Sequence, residues 1–298
     1  MEKTVQAAVV VGKIGLAFVM AFVLTLIGMI PVVAMLAVGQ GDGADGTLTI
    51  EKLVSDPTFV YGSTIAQAVG FIAAVPLMYA LFERRNRWPI GWKKRGATAD
   101  LLRGAMMGIV LMSAIFAVMW IGGAVRIVSF SLDAPIGREL AAYVLFFALV
   151  SLNEELFSRG YVQGLIRHRF GAIAAVGCSS LFFALMHAFN PGALAHPLPL
   201  FNIWVAGILL GICREVSGSL WLPIGLHWTW NYVQGNIFGF EVSGTKVIAP
   251  LKLEPLGSSV WSGGSFGAEG SLIATVVMAT AIWYLWIRSS KRRGIEAK

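Results

Sequence analysis

Residues 140–159 read LAAYVLFFALVSLNEELFSR. The apolar run from Leu140 to Leu152 has the composition of a membrane helix, and it leads straight into Asn153-Glu154-Glu155-Leu156-Phe157-Ser158-Arg159. Two carboxylates and a guanidinium in such a helix are costly. A charge at mid-bilayer costs at least ~2.5–3.5 kcal/mol on insertion scales, so it is rarely there without a partner or a task. What pairs with these charges, and what they do, are the questions the rest of the chain has to answer.

The surrounding composition sets the class. Of 298 residues, 57% are hydrophobic and 13% charged, against roughly 25% charged in a soluble domain. The mean hydropathy is +0.74 and the pI about 9.6. The basic residues lie between apolar runs, which reads as loop charge and not as a nucleic-acid surface. Cys178 and Cys213 both fall in apolar segments and read as buried packing residues, with no disulfide framework.

Eight apolar spans follow one another: Ile14 to Val38, about Phe59 to Phe82, about Leu102 to Val125, from Leu140 onward, Gly171 to Phe189, about Leu200 to Cys213, Leu220 to Phe240, and Ser271 to Ile287. The first is too long for the apolar core of a signal peptide. A polar loop from Gly39 to Pro57 carries Asp42, Asp45 and Glu51; a Gly/Ser-rich loop runs from Glu241 to Gly270; Asn190-Pro191 is a helix stop. With both termini in the cytoplasm, the inside segments take Lys3, the seven Lys/Arg from Arg84 to Arg103, Arg159, Arg167, Arg169, Arg214 and the five from Arg288 on. The outside loops take only Lys52, Arg126, Arg138, Lys246 and Lys252, the bias expected of an inserted protein. The expectation is an all-α polytopic membrane bundle of about eight transmembrane helices, one integral domain over 1–298, in the cell membrane. Helices pair their own backbone groups in lipid.

Three polar clusters fall inside the spans: Glu154-Glu155 with Arg159, Phe183 to His187, and His227 to Asn231. Glu155 and Arg159 are four apart and share a helix face, so they can pair. Glu154 is turned about 100° away and stays free. His227 and Asn231, also four apart, project together. Glu154 lies 13 residues before Arg167 and His187 lies 16 after Gly171; with a turn at 167–170, they stand roughly 20 and 24 Å from that end. Taken singly, His187 reads as a packing residue, His227 with Asn231 as interhelical glue, and Glu155–Arg159 as a structural pair. His168, His196 and Ser158 are weak site candidates. Glu154 is the residue that packing does not explain.

Together, in this order and on successive helices, the clusters resemble the type II CAAX prenyl endopeptidase family of intramembrane proteases, within the broader CPBP or Abi group. Its pattern is EExxxR, FxxxH, then HxxxN or HxxxD. The resemblance covers about 140–240, the expected catalytic core. It implies that Glu154 is the general base for a water, that His187 positions it, that His227 and Asn231 stabilise the oxyanion, and that Glu155 and Arg159 hold the site's shape. It implies a peptidase acting on a membrane-associated protein or peptide, CAAX-prenylated proteins being the archetype, in contact with the lipid bilayer and with no nucleic acid. The preferred reading has no metal; the alternative makes Glu154, His187 and His227 ligands of a divalent ion such as zinc, since three N/O ligands plus water is a common catalytic set. Two other functions are open: a non-catalytic bacteriocin self-immunity or scaffold protein, and a proton-coupled transporter.

Overall fold

The computed structural model describes residues 3–39 and 56–296. The polar loop expected over Gly39 to Pro57 lies almost entirely outside them. The chain divides into two compact units, Met1–Trp88 and Pro89–Lys298.

The first unit is a helix pair, α1 (Lys3–Gly39) and α2 (Pro57–Met78), the latter continued by a π-helical turn, Tyr79–Glu83. Asp56 caps α2 by accepting from the amides of Thr58 and Phe59, which satisfies two of the donors a helix start leaves open. The helices approach closely where side chains are small, Gly28 against Ala66 and Gly70 against Ala21 and Thr25. Glu83 is fully buried. It accepts from the ammonium of Lys13, from Asn86 Nδ2 at 2.8 Å and from Trp88 Nε1 at 3.0 Å, so this carboxylate is paired, as burial demands.

The second unit holds α3 (Ala97–Ile121), α4 (Ala134–Glu155), a π-helical turn Leu156–Val162, α5 (Gln163–Met186), α6 (Pro197–Ser217), α7 (Trp221–Tyr232) with a π-helical turn Val233–Ile237, and α8 (Leu272–Glu296). Among the described residues, α1 to α8 of the two units are eight helices longer than ten residues, and the fold class is all-α as expected. Among the described residues, five stretches are long and apolar enough to cross a membrane: Lys3–Ala37, Thr58–Glu83, Ala97–Ile121, Ala134–Met186 and Pro197–Ser217. The fourth is two arms, because α5 breaks at Gly171 (φ 84°, ψ 177°), backbone that essentially only glycine adopts. Glu154 and His187, 17 and 16 residues from Gly171, come within 3.8 Å of each other. Arms of equal length whose tips meet must double back, so Gly171 is the hairpin turn. The apolar helix at Leu272–Arg288 is shorter.

Three elements depart from the sequence expectation. The third span ends at Ile121, and Val125 opens a strand, β1 (Val125–Phe130), paired antiparallel with β2 (Leu251–Pro255). The Glu241–Gly270 loop contains β2, a helical turn at Ser259–Ser262 and two 3-10 turns; regular backbone pairing there depends on segments more than 100 residues apart, which local composition does not encode. Cys178 is exposed and only Cys213 is buried, because Cys178 lies on an outer face of its helix while apolar residues occupy both faces.

α3 and α7 cross with backbones in contact. A Cβ on Gly104 would lie 2.0 Å from the Leu222 carbonyl oxygen, one on Gly108 2.4 Å from that of Leu226, and one on Gly225 2.2 Å from that of Leu101. Small residues at a crossing let membrane helices approach this closely. Thr229 Oγ1 donates to the Ala105 carbonyl across the same contact at 2.7 Å. Pro223, near the start of α7, leaves the helix unbroken. The crossing fixes the height and rotation of the helix that carries His227 and Asn231.

Candidate active site

Four elements deliver the site: the end of α4, the π-helical turn after it, the end of α5, and α7. α4 ends at Glu155 and the wider turn over Leu156–Val162 begins at once. Such turns are often found at functional sites. Here it keeps Arg159 directly beside Glu155: Nη1 donates to Glu155 Oε1 at 2.9 Å, and both side chains are fully buried. Arg159 also donates to the Gly207 carbonyl at 3.4 Å and stacks over the Phe183 ring at 4.1 Å. A Cβ on Gly207 would press on Ser180 at 2.8 Å, so a glycine is what lets α6 come close enough to accept that bond.

The expected divergence of the two glutamates is observed, with one addition. Glu155 accepts from Arg159 and also from His227 Nδ1, at 2.9 Å. Glu154 faces the other nitrogen of that ring: its Oε2 lies 3.9 Å from His227 Nε2 and 3.8 Å from His187 Nε2. One imidazole thus stands between two adjacent carboxylates. Sequence spacing assigned Glu155 to Arg159 alone; its second partner is 72 residues away.

The tautomers follow from the partners. His187 Nδ1 donates to the Phe183 carbonyl at 2.8 Å, and a carbonyl can only accept. The FxxxH spacing therefore locks the ring: in its neutral form the lone pair is on Nε2, toward Glu154. His227 Nδ1 is likewise committed to a carboxylate. Phe183 packs against both rings, with centroids 4.5 Å from His187 and 6.1 Å from His227. Separations of 3.8–3.9 Å are too long for a direct hydrogen bond and suit a bridging water. Glu154 Oε2 is buried with no hydrogen-bond partner among the described residues.

His187, His227 and Asn231 line one cavity of about 30 Å³, together with Phe183, Trp230 and Glu269. That is room for one or two waters, each needing about 10–15 Å³ on this measure. Glu154 does not line it; it meets the histidines at their Nε2 atoms, its side chain 22% exposed. Asn231 is buried and makes no side-chain hydrogen bond among the described residues. Ser158 is buried beside Arg159 in the turn, while His168 is exposed and His196 half-buried at the start of α6; none of these three lines the cavity.

Two polar lining residues went unread in the sequence, Ser243 and Glu269. Glu269 is buried, and its carboxylate accepts from Ser243 Oγ and from Trp230 Nε1 at 3.4 Å. Ser243 and Gly244 both have positive φ, 47° and 82°, in a tight turn closed by the bridge between Val242 and Thr245, the geometry of a type I′ hairpin turn. The Ser-Gly pair was a turn signal, but nothing local says that the turn reaches a cavity.

Two imidazole nitrogens and a carboxylate are donors that zinc accepts. Neighbouring ligands on a tetrahedral ion with bonds near 2.0–2.1 Å stand about 3.3–3.5 Å apart; the nitrogen–oxygen separations here, 3.8 and 3.9 Å, are somewhat wider.

No curated protein matches the chain. A family model does, and the matched segment contains Glu154, Glu155, Arg159, His187, His227 and Asn231 but neither Ser243 nor Glu269. That model is the Rce1-like family, type II CAAX prenyl endopeptidase Rce1-like; it matches residues 136–233, and over that segment, about a third of the chain, the resemblance read from the three motifs holds.

Proposed function

We propose that this chain is an intramembrane endopeptidase that hydrolyses a peptide bond near the C-terminus of a membrane-associated protein or peptide, CAAX-prenylated proteins among its substrates, without a metal ion. The observation that carries this is a single carboxylate oxygen, Glu154 Oε2, set 3.8 and 3.9 Å from the Nε2 atoms of two histidines whose Nδ1 atoms are both engaged elsewhere.

A water between Glu154 and His187 donates one hydrogen to Oε2 and the other to the Nε2 lone pair. Its oxygen lone pairs are then free to attack a carbonyl carbon. Glu154 takes the proton as the C–O bond forms and returns it to the leaving amine when the C–N bond breaks. The oxyanion faces Asn231 Nδ2 and His227 Nε2. To donate from Nε2 while Nδ1–H serves Glu155, the His227 ring must carry both protons. Loss of one such donor typically costs roughly 10²–10³-fold in rate. Arg159 acts at one remove: it keeps Glu155 in place, and Glu155 holds the His227 ring. The bias of the loop charges supports a cell-membrane protein with both termini on the cytoplasmic side.

The test is Glu154→Gln. The amide has nearly the same shape, and turnover should fall roughly 10²–10⁴-fold with unchanged thermal unfolding. Comparing membrane proteomes of cells carrying wild type and this variant for trimmed C-termini identifies the substrate. Full turnover in the variant would remove the mechanism.

A further inference from the structure

Glu269 lies outside the segment that matches the family and is not used in the reaction above. Its position is heavily determined. Asn202 Nδ2 donates to the carbonyls of Glu269 and Ser271, both at 2.7 Å, and Asn202 Oδ1 accepts from Thr275 in the first turn of α8. The carboxylate is buried, lines the same cavity as His187, His227 and Asn231, and has no lysine or arginine paired with it among the described residues.

Its surroundings pull in two directions. Ser243 and Trp230 aim hydrogens at its two oxygens, and the indole can only donate, so the shell is built for an ionised acceptor. Burial pushes the carboxyl up from its ordinary range, opposing ionisation. His187 is engaged elsewhere: its Nδ1 is held by Phe183 and its Nε2 turns to Glu154. A cation entering the cavity satisfies both demands. About 30 Å³ takes an ammonium head, and Leu209, Leu210, Leu226 and Met278, which also line the cavity, give an apolar wall for the part of the aliphatic stem next to that head.

We propose that Glu269, held by Ser243 and Trp230, is a recognition site for the cationic side chain of a lysine-like residue of the substrate, beside the bond that is cut. Only the last clause rests on the peptidase reading.

Binding and cleavage test the two separately. Calorimetry on the full-length protein in detergent, with n-butylammonium and n-butanol as probes, should show the cation bound about tenfold or more tightly than the alcohol, the scale of a charged hydrogen bond. In Glu269→Gln, which keeps the size and one acceptor, the ratio should fall to near one. Quenched-fluorescent peptides with Lys or norleucine flanking the cleaved bond should show the same preference in kcat/KM, collapsing in the variant; a residue that only braced the loop would slow both peptides alike and leave the ratio unchanged. Equal binding of the two probes by wild type overturns the proposal, and that comparison stands even if the variant misfolds. A preference that survives in Glu269→Gln overturns it as well. Cation-selective binding without cleavage of any peptide supports this site while the peptidase reading falls; cleavage with no cation preference does the reverse.

Discussion

Replacing Gly225 by alanine tests whether the α3–α7 crossing sets the catalytic geometry. The added Cβ would lie 2.2 Å from the Leu101 carbonyl oxygen and 2.9 Å from the Ala105 amide nitrogen. An ordinary carbon–oxygen contact is about 3.3–3.6 Å, and the obstacle is backbone, so no side-chain rotation relieves it. The two helices must separate by about 1 Å. His227 lies two residues beyond Gly225 on the same helix and must follow. Its Nδ1 bond to Glu155, 2.9 Å long, would be displaced by a comparable amount and lose its geometry. Overpacking of this kind costs about 1–3 kcal/mol of stability, and a 1 Å misplacement can cost about 10²-fold in rate. Turnover of a peptide substrate and unfolding in detergent are the readouts. Gly137→Ala is the control: it lies in α4, its added Cβ meets nothing within 4 Å, and it should be neutral or gain up to about 1 kcal/mol from helix propensity. Wild-type turnover in Gly225→Ala would refute the claim that this contact positions His227.

Arg159→Met should destabilise the second unit by about 3–5 kcal/mol, measured by unfolding in mixed micelles, because it leaves the fully buried Glu155 without its guanidinium. Glu269 makes stability depend on pH in a direction that can be stated. Its native carboxyl binds a proton more tightly than the unfolded one, so its contribution is fully present below the ordinary carboxylate range and is lost as pH rises from there through the raised value; a melting series between about pH 4 and 8 should show this fall in wild type and not in Glu269→Gln. Exhaustive dialysis against a chelator should leave turnover intact, and elemental analysis of the active protein should find no stoichiometric metal. Metal bound one to one in chelator-washed active protein would transfer Glu154, His187 and His227 to a ligand role.

Hydropathy and the helical repeat were enough to identify an all-α membrane protein, to delimit most of its helices, and to bring Glu154 level with His187. Those are properties of consecutive residues: a span is a length of apolar chain, and depth along a hairpin is a count of residues from its turn. The same repeat separated Glu154 from Glu155 by direction and paired Glu155 with Arg159. Tertiary structure alone decided what the repeat cannot carry, the rotation and distance of one helix against another. That His227 stands between both glutamates depends on how closely α7 is drawn onto α3, through glycines at 104, 108 and 225. That Glu269 and Ser243 reach the cavity depends on a loop pinned by Asn202, some 67 residues from Glu269. Such contacts follow from packing between distant segments, and in the sequence Glu269 is one acid in a Gly/Ser-rich connection.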